Sequence, residues 1–252
     1  MKKKRNIIIL IVSILLVIGI AVGLFFLLND KNKLTVVERN WINNNIGTIQ
    51  NVNVLNNVNV FGKDGSGVFY DFIKDFESEY ELDINPITFN YGNNPSGITF
   101  GVNNKVNDTD ALFYTDHYVL VGKNNDIVTS IEDLNGKTIG ILSNDLSYVS
   151  KYIKKASNVS FKQFDNEDEL ISDMNSDLNY MLVPLMKYMD TILSKDYKIL
   201  YHFSDIKEYY VLSVKDDTLS SVLKKYFNKW KDNFEKVYNN NLFKIVSIYF
   251  IN

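Results

Sequence analysis

Tyr114-Thr-Asp-His-Tyr-Val-Leu-Val-Gly-Lys123 and, after a short polar spacer, Ile131-Glu-Asp-Leu-Asn-Gly-Lys-Thr-Ile-Gly-Ile141 carry the decisive pattern in this chain. Tyr118 to Val121 is an unbroken apolar run of strand length, which reads as a buried strand. Ile131 to Asn135 reads as a short helical turn that buries Leu134. Gly136 ends it, because glycine alone enters the left-handed region without a Cβ penalty. Lys137 to Leu142 is then a second strand, and Gly140 within it permits a close backbone approach.

Toward the C-terminus the pattern alternates. Leu146 to Lys155 spaces Leu146, Val149 and Ile153 for one helix face, Phe161 to Phe164 is a short strand, and Glu167 to Asn175 is helical through Leu170, Ile171 and Met174. Tyr180 to Val183 is a strand and Leu185 to Leu193 a helix. Strands alternating with helices of this length imply a parallel α/β sheet. Tyr209 to Val214 returns as a strand before an amphipathic helix with Leu219, Val222, Leu223, Tyr226, Phe227, Trp230 and Phe234 on one face. Toward the N-terminus, Leu112 to Tyr114 leads into the buried strand, and Gly92 to Gly97 is a break. Ile84 to Asn90 is a strand. A helix starts at Gly67 with Phe69, Phe72, Ile73, Phe76 and Tyr80 on one face. Residues 42 to 66, rich in Asn, read as an irregular hairpin or exposed loop, and Leu34 to Val37 as a first strand.

Lys2, Lys3, Lys4 and Arg5 precede Ile7 to Leu28, which carry no charge. A membrane-crossing helix needs about 20 apolar residues, and a secretory signal core only about 7 to 15. Residues 7–28 therefore read as an uncleaved signal anchor, the basic tip cytoplasmic and the rest of the chain extracytoplasmic; a long signal peptide is the alternative. The remainder of the chain, roughly 220 residues, suffices for one large or two small units. The chain has no cysteine, which excludes thiol chemistry and a disulfide framework. With arginine only at Arg5 and Arg39, and a net charge of -3, an arginine-lined nucleic-acid groove is not expected. His117 and His202 are the only histidines and argue against the usual zinc sites. No metal and no cofactor are expected, a harder cation held by carboxylates alone being the alternative.

In motif order the chain resembles the type 2 extracytoplasmic solute-binding proteins, in particular the branch serving polar amino-acid ABC transporters. The stretch from Tyr114 to Ile141 is similar to that family's crossover strand and its S-x-x-D-L-x-G-K-x-x-G-V signature. Weaker echoes are Val36 to Trp41, Gly67 to Phe72 and Tyr210 to Trp230, so that the resemblance covers residues 34 to 242. It implies an α/β fold of two lobes that close on a solute. Lobe 1 would be residues 34–113 with 209–252 and lobe 2 residues 119–201, hinged near Tyr114 to Tyr118 and His202 to Glu208, the whole forming one domain, residues 31–252, behind an anchor at 1–30.

The loop Ser143-Asn144-Asp145 lies between a strand and a helix, where backbone N–H groups favour an anion, and Ser143, Asn144 and Ser147 are the side chains placed to line it; Asn144 or Asp145 would serve equally as a helix cap. Arg39 would grip a carboxylate or pair with a surface neighbour. Trp41, Tyr91, Phe113 and Tyr114 would line the cleft by resemblance, or pack in core and hinge by default. The sequence also departs from the family. No arginine lies between Asn90 and Phe113, Asp145 stands where a hydroxyl is usual, and Pro184 falls where a carboxylate would receive an amino group. These losses imply that ordinary α-amino-acid recognition is absent or rebuilt, for a cationic, larger or peptide-like ligand. No motif supports catalysis. The expectation is a membrane-anchored binding protein passing a small polar solute to an ABC permease; the alternative is a sensing or partner-binding ectodomain of the same fold. Leu242 to Ile251 is too short to span a membrane and reads as a last strand or the start of a further module.

Overall fold

The computed structural model describes residues 15–20, 31–58, 60–93, 95–153, 156, 158–213 and 217–231. Residues 15–20 are helical. Most of the expected anchor, and the run from Leu242 to Ile251, lie outside the described residues. Among the described residues no helix is long and apolar enough to cross a membrane.

Leu34 to Val37, expected as a strand, instead opens helix α1 (Val36–Asn45). The β-branched pair is overruled by a capping box: Thr35 Oγ1 accepts from the Glu38 N–H at 3.2 Å, and Glu38 Oε2 accepts from the Thr35 N–H at 2.6 Å. Glu38 is buried and also accepts from Ser221 Oγ at 2.6 Å and Lys225 Nζ at 2.7 Å. Burial alone would raise its pKa, but the bonds from Lys225, Ser221 and Thr35 outweigh burial and hold it at about 2. Glu38 thus ties α1 to the last described helix. Glu38→Ala is expected to cost about 2 kcal/mol, readable as a lower urea midpoint at an unchanged slope.

The Asn-rich segment read as a hairpin or loop contains a strand, β1 (Ile49–Leu55), with Val52 and Val54 wholly buried. Its asparagines are employed rather than merely tolerated. Asn85 Nδ2 donates to Asn51 Oδ1 across the sheet at 2.9 Å, and Asn53 Nδ2 donates to the carbonyls of Ser96 and Ile98. Helix α2 (Val68–Tyr80) comes next, as the periodicity predicts, with Phe69, Phe72, Ile73 and Phe76 buried. Strand β2 (Asp83–Phe89) carries Pro86 and lies at the sheet edge, where a missing N–H is tolerated. Strand β3 (Thr99–Asn103) was not anticipated.

Leu112 to Val121, expected as two pieces, is one strand, β4 (Ala111–Gly122). A 3₁₀ turn (Ile131–Leu134) with Leu134 wholly buried leads to Gly136 at φ 72°, and then to β5 (Thr138–Leu142). Next in order are helix α3 (Ser143–Val149), β6 (Ser160–Phe164), α4 (Glu167–Asn175), β7 (Tyr180–Pro184) and α5 (Leu185–Ser194). Strand β8 (Lys198–Ser213) is far longer than the expected Tyr209 to Val214. Helix α6, residues 218–231, buries Leu219, Val222, Leu223 and Phe227 as its spacing predicts; Phe234 lies outside the described residues.

The eight strands form one sheet in the order β2-β1-β3-β8-β4-β7-β5-β6. Its flanks are parallel, as expected, but its centre is not: β3 with β8, β4 with β8, and β4 with β7 are antiparallel. The long strands β4 and β8 run side by side through both lobes. Ala111, Tyr210 and Leu212 sit in one core with α2 and α6, whereas Tyr118, Leu120, Phe203 and Ile206 sit in a second with β5 and α3. Between them the pairing is irregular. His117 faces Lys207 and Val119 faces His202, leaving Phe203 to Ile206 as an insert opposite Tyr118. The architecture is a mixed α/β, two-lobed fold with two connecting strands.

Candidate functional site

Where the carboxyl ends of β1, β2 and β3 face the start of α3, a cavity of about 630 Å³ opens. The crevice beyond strand carboxyl ends is the usual ligand position in open α/β sheets, and this volume suits a small molecule. Its walls are polar: Thr99 and Asn103 from β3, Asn107 and Asp110 from the following loop, Asn93 and Tyr91 from the loop after β2, Asn144 and Asp145 from α3, and Ser213 from the end of β8. The Asn107 N–H and Nδ2 both donate to Asp110 Oδ2 at 2.9 Å, which fixes that carboxylate. Among the described residues lining the cavity there are two carboxylates and no lysine, arginine or histidine. Such a wall suits neutral hydrogen-bonding groups and cations, and repels carboxylates.

Behind Tyr91 lies a buried polar cluster on the crossing strands. Asp116 on β4 stands opposite Glu208 on β8, and both are almost wholly enclosed. Asp116 Oδ2 accepts from the Met186 N–H at 2.9 Å and Asp116 Oδ1 from the His117 N–H at 2.8 Å, so the first turn of α5 is closed by an internal carboxylate. Burial pushes the Asp116 carboxyl up to about 7 against these bonds and one from the Lys187 N–H. Burial, then the charges of Asp116 and Asp145, push Glu208 well above the usual carboxylate range. Tyr91 OH lies 3.4 Å from both Asp145 Oδ1 and Glu208 Oε2. The Lys187 side chain is fully enclosed; its Nζ sits 3.6 Å from the centroid of the Tyr91 ring and 2.6 Å from Glu167 Oε1. That ion pair is close but not aligned as a hydrogen bond.

The structure brings Tyr91 and Asn144 to the cavity and places the other expected residues elsewhere. Arg39 lies on exposed α1, not at a strand end, and its Nη1 donates to the Leu34 carbonyl at 2.8 Å. Trp41 packs on the core beside α2. Phe113 is enclosed by Phe69, Phe72, Phe100 and Phe227, and Tyr114 packs on Phe61 and Tyr210. Ser143 Oγ donates to the Phe164 carbonyl and to Asp165 Oδ1, and Ser147 is exposed outside the cavity lining. Helix α3 has only seven residues and carries Asp145 in its first turn, so it offers no anion site. Sequence reasoning missed Asp110, Asn107, Glu208 and Lys187, and weighed Asp145 only as a helix cap and as a departure from the family. Among the described residues no group of His, Cys, Asp or Glu has the arrangement to hold a metal ion.

Two lobes joined by a pair of crossing strands define the type 2 periplasmic-binding-protein fold, and comparison with solved structures agrees. The periplasmic VFT2 domain of Bordetella pertussis BvgS superposes with a TM-score of 0.59 at 14% identity, over 86% of this chain and 99% of that one. A P235GK mutant of ArgBP from T. maritima gives 0.57 at 14%, over 82% and 99%. AbpA, an amino acid ABC transporter substrate-binding protein from Streptococcus pneumoniae bound to L-arginine, gives 0.55 at 16%, over 78% and 93%. No family model matches the sequence, and no curated protein does. The structural neighbours thus include an amino acid ABC transporter substrate-binding protein and a periplasmic VFT2 domain, and at these identities the likeness is one of fold.

Proposed function

We propose that this protein is a membrane-anchored, extracytoplasmic solute-binding protein rather than an enzyme, and that the cavity between Tyr91 and Asn144 takes a small polar solute for an ABC-type permease. The observation that carries this reading is the polar chamber at the strand ends, with Asp110 and Asp145 and no described cation on its wall. A free amine or a neutral amide or hydroxyl solute matches that wall, and a bare carboxylate does not. The lobes are residues 34–113 with 209–252, and 119–201; residues 7–28 hold the chain in the membrane with its N-terminus cytoplasmic. A sensing or partner-binding ectodomain is the second reading. It is favoured by the fully enclosed Lys187 against Tyr91, which fills the space behind the cavity with the protein's own side chains.

Thermal unfolding of the full chain in detergent micelles, against amines, amino acids, amides and short peptides, tests the first reading. A solute at about 100 times its Kd adds roughly 2.7 kcal/mol. Asn144→Leu, at an exposed position, is expected to leave unliganded stability within about 0.5 kcal/mol and to abolish that gain. No response to any member of the panel sinks the solute-binding reading.

A further inference from the structure

Lys187 is out of place for a lysine on a short surface helix. Its backbone is partly exposed, yet its side chain turns inward and is wholly enclosed. Lysine is almost never fully buried unless paired, and an unpaired ammonium in such a place would lose its proton. Here it finds several partners from separate elements: the face of Tyr91 from the loop after β2 at 3.6 Å, Glu167 Oε1 from α4 at 2.6 Å, and the fields of Asp145 on α3 and Glu208 on β8. The Tyr188 ring is 5.5 Å away. An aromatic face with surrounding carboxylates is the arrangement that recognises an organic ammonium. Two of these groups, Tyr91 and Asp145, also line the cavity.

We propose that Lys187 is a built-in cationic occupant of the cleft: its ammonium stands in an aromatic and carboxylate cage fit for the charged end of a cationic solute, and it holds the Tyr91 loop of one lobe against α5 of the other without a solute. The contact is made by groups on both sides of the crossing strands, so it acts as a tethered ligand that favours the closed arrangement. A solute entering the cavity then meets lobes already together. The inference does not depend on which solute, if any, the outer cavity takes.

The chain has no cysteine, so single labels are clean. Ser78→Cys on α2 and Asp168→Cys on α4 are both exposed and place spin labels on the two lobes of the full-length chain in micelles. The expected result is a single short distance in the otherwise unaltered protein, and in Lys187→Ala a distance longer by roughly 5 Å or a broader distribution. Millimolar propylammonium, which replaces the deleted atoms, is expected to restore the short distance. A Lys187→Ala distribution identical to that of the parent, or one that propylammonium leaves unchanged, overturns the proposal. If that variant does not fold, Lys187→Gln is measured in the same way. Acylation of the unmutated protein gives an independent reading: Lys187 is expected to react at least about tenfold more slowly than exposed Lys74. Equal rates overturn the proposal as well.

Discussion

Gly140→Val is expected to destabilise the protein by about 3 kcal/mol or more, enough to lower a urea midpoint severely or prevent folding. A Cβ at Gly140 would lie 2.2 Å from Leu178 Cδ2, 2.7 Å from Leu170 Cδ1 and 3.2 Å from Phe164 Cε2. Each of these is the tip of a side chain and can in principle move. All three are buried in the same core, however, beside Met174 and Met181, so each displacement meets another wall. Alanine already displaces the tips of Leu178 and Leu170 and is expected to cost about 1–2 kcal/mol; valine adds two methyl groups to the same filled space and forces further displacement. Equilibrium unfolding in urea at an unchanged slope is the measurement. A valine variant as stable as the parent would mean that these side chains repack freely. The glycine therefore serves the interior of the sheet: its flanking strands β6 and β7 carry the core of α4, and the cavity lies beyond the carboxyl end of β5.

How much of the fold was legible from residues depends on which interactions were local. Helix α2 and residues 218–231 declare themselves because one face buries against a core and the spacing repeats for three turns or more. The 3₁₀ turn and Gly136 are visible because a single backbone conformation is required there. Three failures have physical causes. Leu34 to Val37 has strand composition, yet the Thr35 and Glu38 capping box was present in the sequence and decides the matter. In β1 the alternation of Asn with Val is a true period of two, masked by the low strand propensity of asparagine; its amides find partners only once β2 and the loop at Ser96 are in place. The lengths of β4 and β8 arise from pairing with each other across the chain, which no local window reports.

The site was less legible for the same reason. Tyr91 lies in the loop after β2 and Asn144 in the first turn of α3 directly after β5, strand ends where ligand groups are expected. Asp116 and Glu208 fall in the stretches read as hinges, which the structure makes parts of β4 and β8, and nothing nearby in sequence marks them as buried neighbours. Lys187, between buried Met186 and Tyr188 on α5, looks from its residue type like a solvated lysine until the fold brings Tyr91 over it. The missing arginine of the amino-acid binders was readable, and the cavity wall agrees with its consequence: two carboxylates and no cation among the described lining residues.

Stability of the full chain is expected to fall as pH rises from about 4 to 7 and beyond, and Glu208→Gln is expected to flatten that fall. Asp116 and Glu208 both bind protons more tightly in the folded protein than in the unfolded chain, burial being the main cause in each. Groups with raised folded pKa values contribute stability that is complete below the unfolded values, 3.8 and 4.5, and is lost as pH climbs through the folded ones. For Asp116, raised to about 7, the loss is on the order of 4 kcal/mol at 1.36 kcal/mol per pKa unit. Asp145, also raised by burial, adds in the same direction, while the charge of Lys187 tempers both Asp145 and Glu208. His117 and His202 stand 5.0 Å apart on the same strands; burial, then His202 and Lys207, depress His117, which adds stability as pH rises through its folded value toward its unfolded one and so partly offsets the carboxyls near neutrality. Glu38 acts the opposite way at lower pH: held at about 2, it contributes stability above 4.5 that is lost as pH drops toward 2. The two slopes place the optimum near pH 4 to 5, acidic for a protein of this composition. Glutamine at 208 keeps an acceptor for Tyr91 and removes the ionisation that favours the unfolded chain, so its thermal midpoint should exceed the parent's above pH 5 by a margin that widens with pH. Thermal midpoints across pH 3 to 9 decide the matter; a parent profile that climbs between pH 5 and 7, or a glutamine variant less stable than the parent at pH 8, would show that the facing carboxyls are ionised and neutralised by Lys187 instead.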